Sequence, residues 1–168
     1  MISKSSASDP LSTAIDAALR LLSVRARSRR ELKLAMARRG LAESVQDAAL
    51  SRLEELGYVD DSRFARDRAS ALLRNGKLGP RAVLQRLRGH GLPEDQAKQA
   101  LADAERGLNF DPLEAARLVL HKRGLSGRAL LPKEKSKAIR LLHARGFADG
   151  TIEQLLGLSD LDLGPEDG

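Results

Sequence analysis

Two adjacent aspartates, Asp60 and Asp61, follow Tyr58 and Val59 in the stretch LGYVDDSRFARDRA, Leu56 to Ala69. Neighbouring carboxylates can hold divalent ions for phosphoryl transfer. A polymerase-type site also needs a sheet-based palm and a further carboxylate, and the chain has no strand pattern to supply them. The competing reading is mechanical. Asp is favoured just before a helix, where its carboxylate accepts hydrogen bonds from backbone N–H groups that lack an intrahelical partner. An amphipathic stretch begins near Ser62, so Asp61 is predicted to cap that helix and both carboxylates favour its positive end. Tyr58 and Val59 then read as packing residues between helical units, and Phe64 falls on the apolar face of the new helix.

The other chemistry-bearing residues do not assemble into a catalytic set. His90, His121 and His143 lie beside or within two residues of a Gly or a basic residue near predicted helix ends and are too scattered for a metal-ligand spacing. GKLGP at Gly76 lacks the strand, the glycine spacing and the Lys-Ser/Thr ending of a phosphate loop. No Ser, Thr or Lys has an evident base partner. The chain has no cysteine, which removes disulfides and thiolate metal sites and is compatible with a reducing compartment. The expectation is a protein that is not an enzyme and carries no cofactor and no metal.

Leu, Ala, Arg, Glu and Lys dominate the 168 residues, aromatics are only 2% and Trp is absent. That composition favours helix over sheet. Met1 to Ser12 is polar, without the apolar core of a secretion signal, and the apolar runs fall short of a membrane span. The reading is an all-α, cytoplasmic protein.

Three segments share one shape: SRRELKLAMARRGLAESVQDAAL from Ser28, GPRAVLQRLRGHGLPEDQAKQAL from Gly79, and KEKSKAIRLLHARGFADGTIEQLL from Lys133. Each has a basic amphipathic helix, then Gly followed by Leu or Phe, a short polar turn and a more acidic helix. The glycines Gly40, Gly91 and Gly146 are 51 and 55 residues apart and fit helix stops, since Gly tolerates the left-handed backbone that ends many helices. A further amphipathic stretch precedes each pair, at roughly 12–26, 62–75 and 112–123 by its apolar spacing. The chain is therefore predicted to be three tandem three-helix repeats, at 11–61, 62–110 and 111–158. Residues 1–10 read as a disordered N-terminus and 159–168 as a mobile acidic tail.

Charge follows the same beat. Successive blocks carry −1 (1–19), +7 (20–40), −5 (41–61), +7 (62–90), −4 (91–116), +8 (117–145) and −6 (146–168), within a formal total of +6. The densest cation clusters are Arg25, Arg27, Arg29, Arg30, Lys33, Arg38 and Arg39; then Arg81, Arg86 and Arg88; then Lys133, Lys135, Lys137 and Arg140. If the repeats stack in one orientation, these patches recur along one side of an elongated body and suit a polyanionic groove, with affinity falling as salt rises. Arg can also fork onto carboxylates of a protein partner. Charge runs on helices are, however, usually solvated faces.

The motifs GYVDDSRFA, RSRRELKLAMARRG and GPRAVLQRLRGHG, in that family's order from about Ala14 to Leu101, resemble the RecX family of regulatory proteins. Repeat logic extends the likeness to Leu156. The third repeat is the least similar, with an insertion around Leu125 to Leu131, and its link to the second has no GYVDD counterpart. The resemblance implies a curved, all-helical molecule that acts, as a monomer, on the RecA recombinase filament in DNA repair, recombination and the SOS response. Family members are held to lie in the filament groove on DNA and to restrain ATP hydrolysis and strand exchange. Contacts to single- or double-stranded DNA would be non-specific, and no membrane partner is implied.

Two rival readings have different chemistry. A helix-turn-helix transcriptional regulator would read bases, usually with Asn, Gln or a placed Arg in the major groove. Gln85 is the only Asn or Gln in the middle repeat's basic helix. A plain helical scaffold would bind an acidic protein without nucleic acid. Base stacking has little support, since Tyr58, Phe64, Phe110 and Phe147 are the only aromatics and most fall at core positions.

Overall fold

Capping chemistry sets where the helices begin. Asp9 accepts from the Leu11 N–H at 3.4 Å and Pro10 occupies the first helical position of α1, Pro10–Val24. α2, Arg29–Ala37, starts from a capping box: the Ser28 hydroxyl accepts from the Glu31 N–H, and the Glu31 carboxylate accepts from the Ser28 N–H. α3 is Glu43–Glu55, α4 Asp61–Arg74, α5 Pro80–Gly89 and α6 Glu94–Leu108. α7, Pro112–His121, is capped by Asp111, α8 is Pro132–Ala144 and α9 Asp149–Leu156. The computed structural model describes residues 9–127 and 129–158, and every element among them is a helix. The expected disordered N-terminus lies outside them apart from Asp9 and Pro10, which are helix cap and first turn, and the expected acidic tail lies outside them entirely.

The chain divides into two compact units. One comprises the chain up to Phe64 together with Gly89–Pro93. Its core is Ala14 and Ala18 of α1, Leu32 and Met36 of α2, and Ala49, Leu50 and Leu53 of α3, closed by Val59. Small residues on α1 let its backbone approach α3, while the Leu and Met stripe of α2 fills the remaining volume. Tyr58 departs from its expected packing role: it is 58% exposed, and Val59 beside it is 3% exposed. The cause is the end of α3, where Gly57 is left-handed and the Tyr58 N–H closes onto the Leu53 carbonyl at 2.9 Å, turning Tyr58 outward as Val59 goes in.

The second unit comprises Ala65–Arg88 and the chain from Glu94 onward. Most of α4 and α5, with all of α6 to α9, thus fall in one body. Leu72, Leu73, Val83, Leu87, Ala97 and Leu101 are buried in the α4–α6 region. A cluster of Ala116, Val119, Leu120, Leu125, Ala138, Leu142, Phe147 and Ile152 is the core of α7–α9.

Within this unit two backbones meet directly. The Gly79 N–H donates to the Arg145 carbonyl at 2.7 Å and the Arg81 N–H donates to the Gly146 carbonyl at 3.0 Å. The bare N-terminus of α5 is thereby satisfied by carbonyls at the end of α8. Gly146 is left-handed, with the Gly146 N–H on the His143 carbonyl and the Phe147 N–H on the Leu142 carbonyl, so Phe147 folds back into the core. A Cβ at Gly146 would stand 2.2 Å from the Ala82 nitrogen. Gly146→Ala is therefore expected to lower stability by at least about 2 kcal/mol, combining left-handed strain with displacement of the α5 start. Urea melts read this, with Gly150→Ala as a control where an added Cβ meets open space.

Candidate polyanion-binding surface

The two aspartates of the opening motif have different tasks, and the sequence assignment needs correction. Asp60, not Asp61, caps α4: its carboxylate accepts from the Arg63 N–H at 2.9 Å. Asp61 reaches back 32 residues and accepts from the Arg29 N–H, the first of α2, at 2.7 Å. The Ser28 cap serves Glu31, so Asp61 supplies the acceptor that Arg29 lacks. Burial pushes the Asp61 carboxyl above the ordinary aspartate value, with Glu54 and Asp60 adding to the rise and the Arg29 N–H and guanidinium opposing it.

Ser28 is the residue that sequence reading missed. It is fully buried, and its hydroxyl donates to the His90 carbonyl at 2.7 Å while accepting from Glu31. The S-x-x-E pattern of SRRE was the available signal. His90 stands with Nδ1 3.6 Å from Glu31 and its ring edge-on to Phe64 at 5.2 Å. Next to it the Arg30 side chain lies where a Cβ of Gly91 would be, at 2.3 Å, so both predicted features of Gly91 hold: left-handed backbone and helix end.

Three of the seven cations in the first basic cluster, Arg25, Arg29 and Lys33, face carboxylates of their own unit. Arg25 makes a two-pronged contact with Glu31 at 2.8 and 3.2 Å. Arg29 meets Glu54 at 2.6 Å and Asp47 at 3.7 Å, and the Lys33 ammonium meets Glu43 and Asp47, each at 2.9 Å. Hydrogen bonds to Asp47, then Glu43, hold the Lys33 ammonium above the ordinary lysine value. Burial alone would push the Glu31 carboxyl up, but Arg25 and the Ser28 N–H outweigh it and the net is downward. Arg27 donates from Nε to the Leu21 carbonyl, and Arg30 to the Gly89 carbonyl, both at 3.4 Å. Arg38 and Arg39, at the end of α2 beyond which Gly40 turns left-handed, are exposed and form no ion pair among the described residues.

The later clusters divide differently. Arg81 pairs with Asp149 at 3.1 Å. Arg86 and Arg88 are exposed without an ion pair among the described residues, although Arg88 adds to Lys98 in holding the Glu94 carboxyl down. On α8, Lys133, Lys137 and Arg140 share one exposed face, opposite the buried Ala138 and Leu142. Lys135 lies apart from them and, with Arg117, Leu125, Leu130, Leu155 and Leu156, lines an open groove of about 540 Å³. The structure thus brings together Arg25, Arg29, Arg30 and Lys33 as an internally paired cluster, and Lys133, Lys137 and Arg140 as an unpaired one.

Residues 14–53 match the family description "RecX, first three-helix domain", and residues 60–101 match "RecX, second three-helix domain". A protein of Halorhodospira halophila named "Regulatory protein RecX" is 34% identical over 150 residues, covering 88% of this chain and 88% of that one. The chain belongs to the RecX family. A Thermus thermophilus protein of the same name is 35% identical over 139 residues, covering 83% of this chain and 87% of its own. The crystal structure of RecX from Lactobacillus salivarius superposes with a TM-score of 0.72 at 19% identity, covering 89% of this chain and 96% of that one. A second RecX crystal structure gives 0.74 at 21% identity, with 89% and 73% covered, and both show the fold to be shared. No helix of the described residues is long and apolar enough to cross a membrane.

Asp61 offers a test of the long-range cap. Asp61→Ala is expected to lower stability by about 1 kcal/mol through the orphaned Arg29 N–H. Asp61→Asn keeps an oxygen acceptor and avoids burying a charge, so its stability at neutral pH should equal or exceed the parent's. The folded carboxyl is raised, which means that its contribution is greatest below the unfolded value and declines as pH rises through the folded one. Asn at this position should flatten that decline in thermal melts between pH 3 and 7, a range spanning roughly the aspartate titration.

Proposed function

We propose that the protein is a non-enzymatic, cytoplasmic regulator that binds the RecA recombinase filament as a monomer and chiefly inhibits its ATP hydrolysis and strand exchange, in DNA repair, recombination and the SOS response. The observation that carries this reading is near full-length similarity to proteins named regulatory protein RecX. The cation distribution supports it. Exposed arginines and lysines without internal partners suit phosphates of filament-bound DNA or carboxylates of the recombinase. α8 carries no Asn or Gln, so contacts there would be to backbone phosphate and independent of sequence, on single- or double-stranded DNA alike.

The test mixes the chain with RecA and single-stranded DNA and follows ATP hydrolysis and strand exchange. A dose-dependent slowing of both is expected at sub-stoichiometric to equimolar ratios; rates unchanged at a several-fold molar excess would defeat the assignment. Footprinting on duplex DNA separates the transcriptional alternative, which requires a preferred sequence where this reading expects none.

A further inference from the structure

The second helix of each repeat begins with cations, against the preference of a helix N-terminus for negative charge. In α2 the first-turn Arg29 has Glu54 and Asp47 near its guanidinium and Asp61 on its N–H. In α5 the first-turn Arg81 has Asp149. In α8 the first-turn Lys133 forms no ion pair among the described residues, and the one carboxylate of that turn, Glu134, accepts from the Leu131 N–H at 2.9 Å. Lys137 and Arg140 follow at i+4 and i+7, so three like charges stand in one row, an arrangement that weakens a helix.

The rest of that exposed face is Ser136, His143 and Ala144. The Ser136 hydroxyl donates to the Pro132 carbonyl at 3.1 Å, and His143 stands 3.4 Å from Asp149 at the far end. The one carboxylate of α8, Glu134, borders the row three residues before Lys137. The helix cannot rotate to relieve the repulsion, because Ala138 and Leu142 on the opposite side are fully buried. The repulsion is therefore built in, and none of the three cations forms an ion pair among the described residues. Seven helical rises from Lys133 to Arg140 carry the row over about 10 Å, close to three rises of about 3.4 Å each along one nucleic-acid strand.

We propose that Lys133, Lys137 and Arg140 on α8 form the principal DNA-phosphate contact of this protein, whereas Arg25, Arg29 and Lys33 of the first basic cluster hold the fold together. This assignment rests on the regulator reading for its biological setting, but the contact is a property of the chain alone. It separates two cation sets that are indistinguishable by composition.

The experiment compares full-length K133E/K137E/R140E with full-length R25Q/R29Q/K33Q. Binding of a fluorescent oligo-dT strand is followed by anisotropy from 50 to 200 mM salt, roughly the range over which phosphate contacts are most visible, in the absence of recombinase. The α8 variant should lose about 2 from the slope of log affinity against log salt, the value for three single-strand contacts. The neutral K133Q/K137Q/R140Q chain should melt at or above the parent's temperature, since both the first-turn charge and the row repulsion are relieved. The first-cluster variant should show the reverse: a lower melting temperature and an unchanged slope. An α8 variant with the parent's slope overturns the proposal. So does an α8 variant that melts earlier, provided that the neutral K133Q/K137Q/R140Q chain melts earlier too, because the row is then structural. ATP hydrolysis by RecA is measured separately on the parent: no inhibition there sinks the regulator reading while the DNA slopes still judge the α8 surface.

Discussion

A helix begun without backbone acceptors needs oxygens from elsewhere, and meeting that need organises this fold. The first N–H groups of α5 are taken by the carbonyls of Arg145 and Gly146. Those of α2 are taken by Asp61 and Ser28, while the Ser28 hydroxyl donates onward to the His90 carbonyl. In each case a positive helix end lies against carbonyls that follow a basic helix, so the partial charges of two termini offset each other. The glycines make this contact possible. At Gly91 the Arg30 side chain, and at Gly146 the Ala82 backbone, occupies the space a Cβ would need. A residue type chosen to end one helix thus also admits the start of another.

The same constraint explains the alternation of charge. A basic helix entering a junction head-first is unfavourable unless carboxylates attend it. In the first repeat α3 supplies them, with Glu43, Asp47 and Glu54 facing Lys33 and Arg29. An acidic block after a basic one is then a folding device before it is a binding device. Individually these partly exposed pairs contribute little, on the order of 0–1 kcal/mol. Their larger effect is to remove Arg29 and Lys33 from the pool of cations that a polyanion can use.

The helices and the capping glycines were legible because both signals are local. Apolar residues recurring every three or four positions mark a face, and Gly followed by Leu or Phe marks a stop. Ion pairs within one helix were equally accessible, as with Glu94 and Lys98 four residues apart. Contacts at long separation were not. Asp61 read as the cap of its own helix because nothing in the sequence indicates that Arg29, 32 positions earlier, lacks an acceptor. Tyr58 read as packing because an aromatic beside a valine fits a buried turn, and only the left-handed Gly57 decides which of the two faces inward. The basic blocks looked alike for the same reason: composition counts cations, whereas pairing depends on which helix lies across from them.

That last difference follows from where the acidic helix commits its carboxylates. α3 has 13 residues and spreads its carboxylates across three turns facing α2, so successive cations find successive partners. α9, which packs on α8 in the third repeat, has 8 residues. Its first-turn Asp149 already attends Arg81 and His143, both at the Gly146 junction. Its other carboxylate, Glu153, forms no ion pair among the described residues, so α9 attends the Gly146 junction and leaves the exposed row of α8 unpaired. Charge left over on α8 is thus the consequence of an acidic helix whose first-turn carboxylate is committed to the Gly146 junction. The first repeat directs its acidic helix to neutralise; the third leaves its basic helix open to a polyanion from outside.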